Sequence, residues 1–266
     1  MEDTGPPSGN GPPRPRIACV YDYFLGGKCN IDADRQAARA IAEAMPDLPD
    51  VLRANRAFVG RAVRALADAG IRQFLDLGSG LAVNGAVHEI TADMGVDARV
   101  VCVDNDPVVT AYNRRRVPRR GVAVVHADLR DLDAVLSAPE SALLDRTRPV
   151  AVLMTAVLHF VPHADDPAAV VARYRDALAP GSCIVLSHAE DNRRLPGTYQ
   201  AARLYSKDIA PIHLRTRTEI AAMLAGLDLL APGLVPIPDW RPDAGARPST
   251  APSYGFAAVG RTDRQR

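Results

Sequence analysis

Through the middle of the chain, short runs of consecutive apolar residues alternate with longer segments whose apolar residues fall on one helical face. The runs at residues 73–77, 98–103, 122–125, 150–154 and 183–186 are rich in Val, Ile and Leu and too short for helices, so they predict strands. Helical spacing fits residues 83–94, 107–116, 132–136 and 167–178 between them. Strands that are apolar on both faces and alternate with helices imply a mostly parallel sheet covered on both sides, a doubly wound α/β domain. Two helices precede it. One spans residues 32–44, with Asn30 or Asp32 able to cap its start; the other spans 52–69, where Phe58, Val59, Ala62, Val63 and Leu66 build one apolar face. After the fifth strand come helical stretches at 198–209 and 218–224, a connection over 236–252 with five prolines, and a last strand at 254–259. Residues 1–16 hold five of the 22 prolines and three glycines without apolar periodicity, which reads as a disordered arm.

Composition adds exclusions. With 266 residues, 47% apolar and 24% charged, the chain can fill one large domain around a sizeable core. A net charge of +1 indicates neither a disordered polyelectrolyte nor a generically basic nucleic-acid binder. The four cysteines, Cys19, Cys29, Cys102 and Cys183, form no CxxC pair, so no zinc cluster or redox motif is suggested. His159 and His163 are spaced like metal ligands on a helix, but Pro162 lies between them and no metal is expected. No apolar signal segment follows Met1, and no run approaches the roughly 20 residues that span a bilayer. A soluble protein of a reducing cytoplasm is the expectation.

Candidate chemistry begins where the first strand ends, at Phe74-Leu75-Asp76-Leu77-Gly78-Ser79-Gly80-Leu81. Gly78 and Gly80 let the backbone turn tightly and approach a ligand at the sheet edge where α/β folds bind cofactors. Three features narrow the ligand. The third glycine of a dinucleotide fingerprint is replaced by Val83. Asp76, ahead of the glycines, would repel a pyrophosphate but suits an ammonium group. Asp104, with Asn105 beside it, ends the second strand 26 residues after Gly78, where an acidic side chain receives a ribose diol. These parts describe a nucleoside without phosphates, and S-adenosylmethionine combines ribose, adenine and an amino-acid ammonium. The third strand ends at Ala127-Asp128-Leu129, where Asp128 either accepts a hydrogen bond from the adenine amine or caps the helix that follows.

The chain resembles the class I, Rossmann-like, S-adenosylmethionine-dependent methyltransferases, and more closely an actinobacterial methyltransferase family long catalogued as a domain of unknown function. The resemblance rests on Val20-Tyr21-Asp22-Tyr23-Phe24-Leu25-Gly26-Gly27-Lys28, Asp34-Arg35, Ala54-Asn55-Arg56-Ala57-Phe58 and the glycine loop with Arg72-Gln73 before it. It continues through Val103-Asp104-Asn105-Asp106-Pro107, Ala127-Asp128-Leu129-Arg130, Ala156-Val157-Leu158-His159-Phe160-Val161-Pro162, Leu186-Ser187-His188 and Pro232-Gly233-Leu234-Val235, nearly everything after the arm. It implies a helical cap or lid over residues 17–70, a Rossmann-like domain over 71–266, and cofactor contacts that also include Tyr21, Gly26, Gly27, Lys28, Ser79, Leu129 and Ala156. Two departures stand out: Cys29 where the family pattern has Asp, and Ala82 where it has Pro. Lys28 is one of only two lysines among 32 basic residues, the other being Lys207. It either supplies a compact charge for the cofactor carboxylate or a substrate anion, or is a surface residue on a loop.

Methyl transfer from an activated sulfonium is an in-line displacement for which a protein supplies alignment and water exclusion. A base is needed only if the nucleophile carries a proton that must leave. His159, after the fourth strand, is the first candidate base and His188, after the fifth, the second; each alternatively ties a loop to the backbone. The expected acceptor is a small molecule, in specialised metabolism, and a homo-oligomer is compatible with the sequence. Two other readings stay open. One is a protein of this fold that binds S-adenosylmethionine without transferring methyl, by non-methylating catalysis or ligand sensing. The other is an RNA methyltransferase using Arg114-Arg115-Arg116 with Arg119-Arg120, which are otherwise a solvated helix end.

Overall fold

The computed structural model describes residues 14–263 except 84, 119, 193, 194, 244 and 246–253. The expected arm up to residue 13 and most of the later half of the proline-rich connection therefore lie outside the described residues. Arg16, the last residue of that arm, is anchored: its N–H donates to Asp34 Oδ1 at 2.8 Å and its guanidinium grips both oxygens of Asp106 at 2.7 and 2.9 Å.

Five parallel strands build the centre: β1 (Gln73–Leu77), β2 (Arg99–Asp104), β3 (Val122–His126), β4 (Ala151–Thr155) and β5 (Cys183–Ala189). Three more follow, β6 (Asp228–Leu229), β7 (Val235–Pro236) and β8 (Gly255–Arg261), giving the order β3-β2-β1-β4-β5-β8-β6 with β7 also paired to β8. β8 runs antiparallel to β5, from Cys183 opposite Arg261 to Ala189 opposite Gly255. This is the mostly parallel, doubly wound, Rossmann-like sheet that the sequence pattern predicts, with its strand order reversing between β1 and β4. The register aligns Leu77 with Val103, Asp104 with His126 and Thr155 with Ser187, so the carboxyl ends of five strands form one edge.

Helices α1 (Ile17–Phe24), α2 (Asp32–Ala44) and α3 (Leu48–Asp68) come first; α4 (Val87–Asp93), α5 (Pro107–Arg116), α6 (Leu132–Ser137) and α7 (Pro167–Ala177) connect the strands; α8 (Pro196–Asp208) and α9 (Arg217–Ala222) follow β5. Strand alternation sorts the core into two layers. Phe74, Val100, Cys102, Leu153 and Val185 pack beneath α3 and α4, while Leu75, Leu77, Val101, Val103, Met154 and Leu186 pack with Val135, Val170, Tyr174 and Ile220 of the opposite helices. Asp76 shares the strand face of Phe74, which points it at the α3 side.

Several elements depart from the expected pattern. α1 was not legible as a helix, yet it buries Cys19, Val20 and Phe24. α3 begins at Leu48, four residues earlier than its apolar face suggests, because Pro49 fits a first helical turn. α4 is shorter than expected: Gly85 has a left-handed φ of +88°, and Glu89 accepts from the N–H groups of Gly85 and Ala86 at 2.7 and 3.0 Å, fixing the helix start after them. α3 also joins the two expected units, since its Phe58, Ala62, Val63 and Leu66 belong to the sheet core. Its buried Arg61 donates to the carbonyls of Trp240 at 2.8 Å and Ile237 at 3.1 Å, so the proline-rich connection starts as an ordered segment. α8 packs on α2 and so covers the sheet edge together with the N-terminal helices. No described helix is long and apolar enough to cross a membrane.

Candidate functional site

The glycine loop after β1 is held by the neighbouring strand. Gly78 N–H and Ser79 N–H both donate to Val103 O, at 2.9 and 3.0 Å, and Gly80 N–H donates to Asp104 Oδ2 at 2.9 Å. Gly78 has φ +68°, and a Cβ there would stand 2.2 Å from Val157 Cγ2, so only glycine fits this close approach. The loop, the strand ends and α1 with α3 enclose a cavity of about 250 Å3. Tyr21, Asp76, Gly78, Ser79, Gly80, Asp104, Asn105, Asp128, Leu129 and Ala156 all line it.

Its electrostatics are acidic. Burial pushes the Asp76 carboxyl up to about 6, with Arg56 opposing and Asp104 adding to the rise. Burial also raises Asp104, against the backbone N–H groups of Asp106 and Gly80 that favour its charge. Asp128 is instead held low, chiefly by its hydrogen bonds to the Arg130 side chain, at 2.6 and 2.9 Å. The helix-cap alternative for Asp128 is excluded, because Asp131 caps α6 by accepting from Ala134 N–H at 2.9 Å.

Gly26, Gly27 and Lys28 are not in this cavity. They form the turn that ends α1: Gly26 is left-handed, and a Cβ on Gly27 would fall 1.9 Å from Asp22 Oδ1. Lys28 is exposed at the surface. Beyond the turn, the buried Asp22 carboxylate accepts from Cys29 N–H at 2.8 Å and Asn30 Nδ2 at 2.9 Å. Cys29 therefore serves this turn through its backbone N–H, while its Sγ lies 2.6 Å from Tyr112 Oη. Ala82 has the N–H that a proline would lack and donates it to Asn113 Oδ1 at 3.0 Å, while Asn113 Nδ2 donates to Gly80 O at 2.8 Å.

A second cavity, of about 130 Å3, adjoins the first and shares Ile17, Tyr21, Asn55, Ala156 and Phe160 with it. A chain of hydrogen bonds runs along the boundary: Ala156 N–H donates to Ser187 Oγ (3.0 Å), Ser187 Oγ to Asn55 Oδ1 (2.6 Å), Asn55 Nδ2 to Tyr21 Oη (3.0 Å) and Tyr21 Oη to Leu52 O (3.2 Å). Ala156 holds a left-handed φ of +51°, uncommon for a residue with a Cβ and here fixed by the bond to Ser187.

His159 and His188 both line this second cavity, with ring centres 5.5 Å apart. His188 has no nitrogen to spare. Its Nδ1–H donates to Ala189 O at 2.7 Å, and its Nε2 accepts from the Arg215 guanidinium at 3.0 Å, so it ties a loop to the backbone and has no free nitrogen to act as a base. Burial takes it down to about 4. His159 is buried with Nδ1 unpartnered, and burial, then His188 and Arg215, hold it well below the usual histidine range, leaving a neutral imidazole. Arg215 also donates to Leu158 O at 2.9 Å and Val161 O at 2.7 Å, clamping the turn that carries His159.

A family model described as S-adenosyl methyltransferase matches residues 11–263. The chain belongs to this family. Among solved structures, a candidate methyltransferase from Thermobifida fusca YX is 38% identical, with a TM-score of 0.88 over 94% of this chain and 96% of that one. A DUF574 family protein from Streptomyces avermitilis MA-4680 is 37% identical, also with a TM-score of 0.88, over 94% and 98%. A comparison with curated proteins returns no match. As an S-adenosyl methyltransferase the chain uses S-adenosylmethionine as its cofactor, and the first cavity suits it: acidic side chains stand at the ends of β1, β2 and β3, beside a loop whose Gly78 leaves no room for a Cβ. An orphaned buried donor, Arg56 Nε, lines the same cavity and matches a carboxylate. Asn55, Arg56 and Ser187 sat unassigned within the strings that carried the family resemblance. The one local signal was Asn55, a polar residue on the apolar face of α3. Arg215 lies 27 residues beyond His188 and gave no signal at all.

Proposed function

We propose that this methyltransferase acts on a small molecule bound in the second cavity, with His159 as the group that takes the acceptor's proton. The observation that carries the reading is the meeting of an acidic cavity and an apolar one at Ala156, Phe160 and Tyr21. Asp76 would bind the ammonium of the cofactor, Arg56 its carboxylate, Asp104 the ribose diol, and Asp128 with Asn105 the adenine edge. Arg56 thereby takes the role that Lys28, out on the surface, cannot fill. When bound, S-adenosylmethionine supplies an electrophilic methyl group: the acceptor's lone pair bonds to that carbon as the carbon–sulfur bond breaks, and the electron pair leaves with sulfur as S-adenosylhomocysteine.

The chain's own residues do the rest. α1, α3 and α8 exclude water from the junction, which strengthens every polar contact inside it. The clamp from Arg215 fixes the turn at residues 158–161, and the hydrogen-bonded chain from Ser187 to Tyr21 fixes Ala156 beside it. His159, neutral across the physiological range, presents a lone pair that accepts the proton as the acceptor loses it. Mass spectrometry of the cofactor product tests the reading. S-adenosylhomocysteine should accumulate only when a small-molecule acceptor is added, with an equal amount of methylated acceptor, and the His159→Ala variant should lose about 10²-fold or more in turnover. Turnover that survives in that variant would remove His159 from the mechanism.

A further inference from the structure

The second cavity narrows the acceptor's chemistry beyond size. No Asp, Glu, Lys or Arg side chain lines it among the described residues. A charged group seated there would lose its hydration without gaining a counter-ion, which is strongly unfavourable. Its volume of about 130 Å3 is close to the roughly 150 Å3 of an engineered cavity that takes up benzene. Most of the wall is aliphatic or aromatic, and Phe160 and Tyr205 present rings 5.7 Å apart and tilted by 32°.

Two buried polar atoms interrupt that wall without a hydrogen-bond partner among the described residues, His159 Nδ1 and Thr198 Oγ1, and the half-buried Tyr205 lines the cavity beside them. His159 and Thr198 are only 8% and 7% exposed, and His159 Nδ1 and Thr198 Oγ1 are fully enclosed. Buried polar groups are hydrogen-bonded in nearly all folded proteins, so unmatched ones around a cavity mark what its occupant supplies. Asn55, Ser187 and His188 differ, since their polar atoms are engaged within the protein.

We propose that the methyl acceptor is an uncharged compound about the size of one aromatic ring, carrying a hydroxyl or ring N–H that hydrogen-bonds to His159, with Thr198 and Tyr205 holding its other polar atoms. This rests on the methyl-transfer reading above. Carboxylates, phosphorylated compounds, ammonium compounds and nucleic acids are excluded as occupants. The proton-bearing heteroatom is the one methylated, and its proton passes to His159.

Calorimetry on full-length protein saturated with S-adenosylhomocysteine tests this with four probes: phenol, toluene, benzoate and benzylammonium. Phenol should bind at least about 10-fold more tightly than either charged ring. His159→Leu should weaken phenol several-fold while leaving toluene unchanged, a split that general damage to the fold would not produce. Ala201→Phe, which fills the cavity from α8, should abolish phenol binding and retain S-adenosylhomocysteine affinity. Charged rings that bind as tightly as phenol, or a cofactor-saturated protein that takes up no neutral ring, would overturn the assignment. A protein that fails to bind S-adenosylhomocysteine at all would overturn the methyl-transfer reading itself, and this inference with it.

Discussion

The acidic cavity makes its demands residue by residue. Gly78 joins a left-handed backbone to a contact that leaves no room for a Cβ. Gly78→Ala should therefore lower stability by about 1–3 kcal/mol in chemical denaturation and remove measurable cofactor binding. Asp76 links binding to pH. Pushed up to about 6 in the free protein, it is partly protonated in mild acid, and a bound ammonium would draw its pKa down. Cofactor affinity should thus rise from pH 5 to 7 and level off above, with protons released on binding, as calorimetry in buffers of different ionisation enthalpy would detect. Asp76→Asn should flatten that profile and weaken binding by about 10- to 100-fold. Flat affinity in the parent protein would remove the ammonium contact.

At the scale of elements, the strands and their helices were written plainly in the hydrophobic pattern, because each strand is apolar on both faces and each connecting helix on one. What escaped was built from polar contacts across long separations. The clamp by Arg215 on the 158–161 turn and the chain linking Ser187, Asn55 and Tyr21 tie together β5, α3 and α1, and no local spacing announces them. The Gly-Gly-Lys turn misled in the opposite direction. Its residue types suggest ligand binding, while the fold uses the glycines for a helix end packed on Asp22. Arg215→Met should release the 158–161 turn: turnover should fall about 10-fold or more through kcat, with cofactor affinity little changed. An equal loss of cofactor affinity would mean that Arg215 supports the whole fold. The covering helices should also tighten on binding, so amide exchange in residues 20–35 should slow when cofactor is added. Unchanged exchange would count against a lid.

Over the whole molecule, titration shapes stability. His188 is buried neutral with its pKa taken down to about 4, so the unfolded chain binds more protons than the native one between about pH 4 and 6.5. Stability is undiminished by this group above about pH 6.5 and falls as pH drops through that window, by about 3 kcal/mol in all. His159 acts in the same direction. Asp76 acts oppositely: its raised pKa favours the folded state below about pH 4 and that contribution is lost as pH rises through about 6. Urea denaturation at pH 7 and pH 4.5 should show the histidines prevailing, with the lower midpoint at pH 4.5; a higher midpoint there would contradict their burial as neutral rings.

On the proposed reading, the cofactor's sulfur sits where the two cavities meet. The crystal structure of the S-adenosylhomocysteine complex tests it most directly. The ribose is expected on Asp104, the amino-acid end between Asp76 and Arg56, and the sulfur beside Ala156 and Phe160, facing the cavity that His159 lines. A sulfur turned toward open solvent, or a product molecule seated away from Asp76 and Asp104, would contradict it.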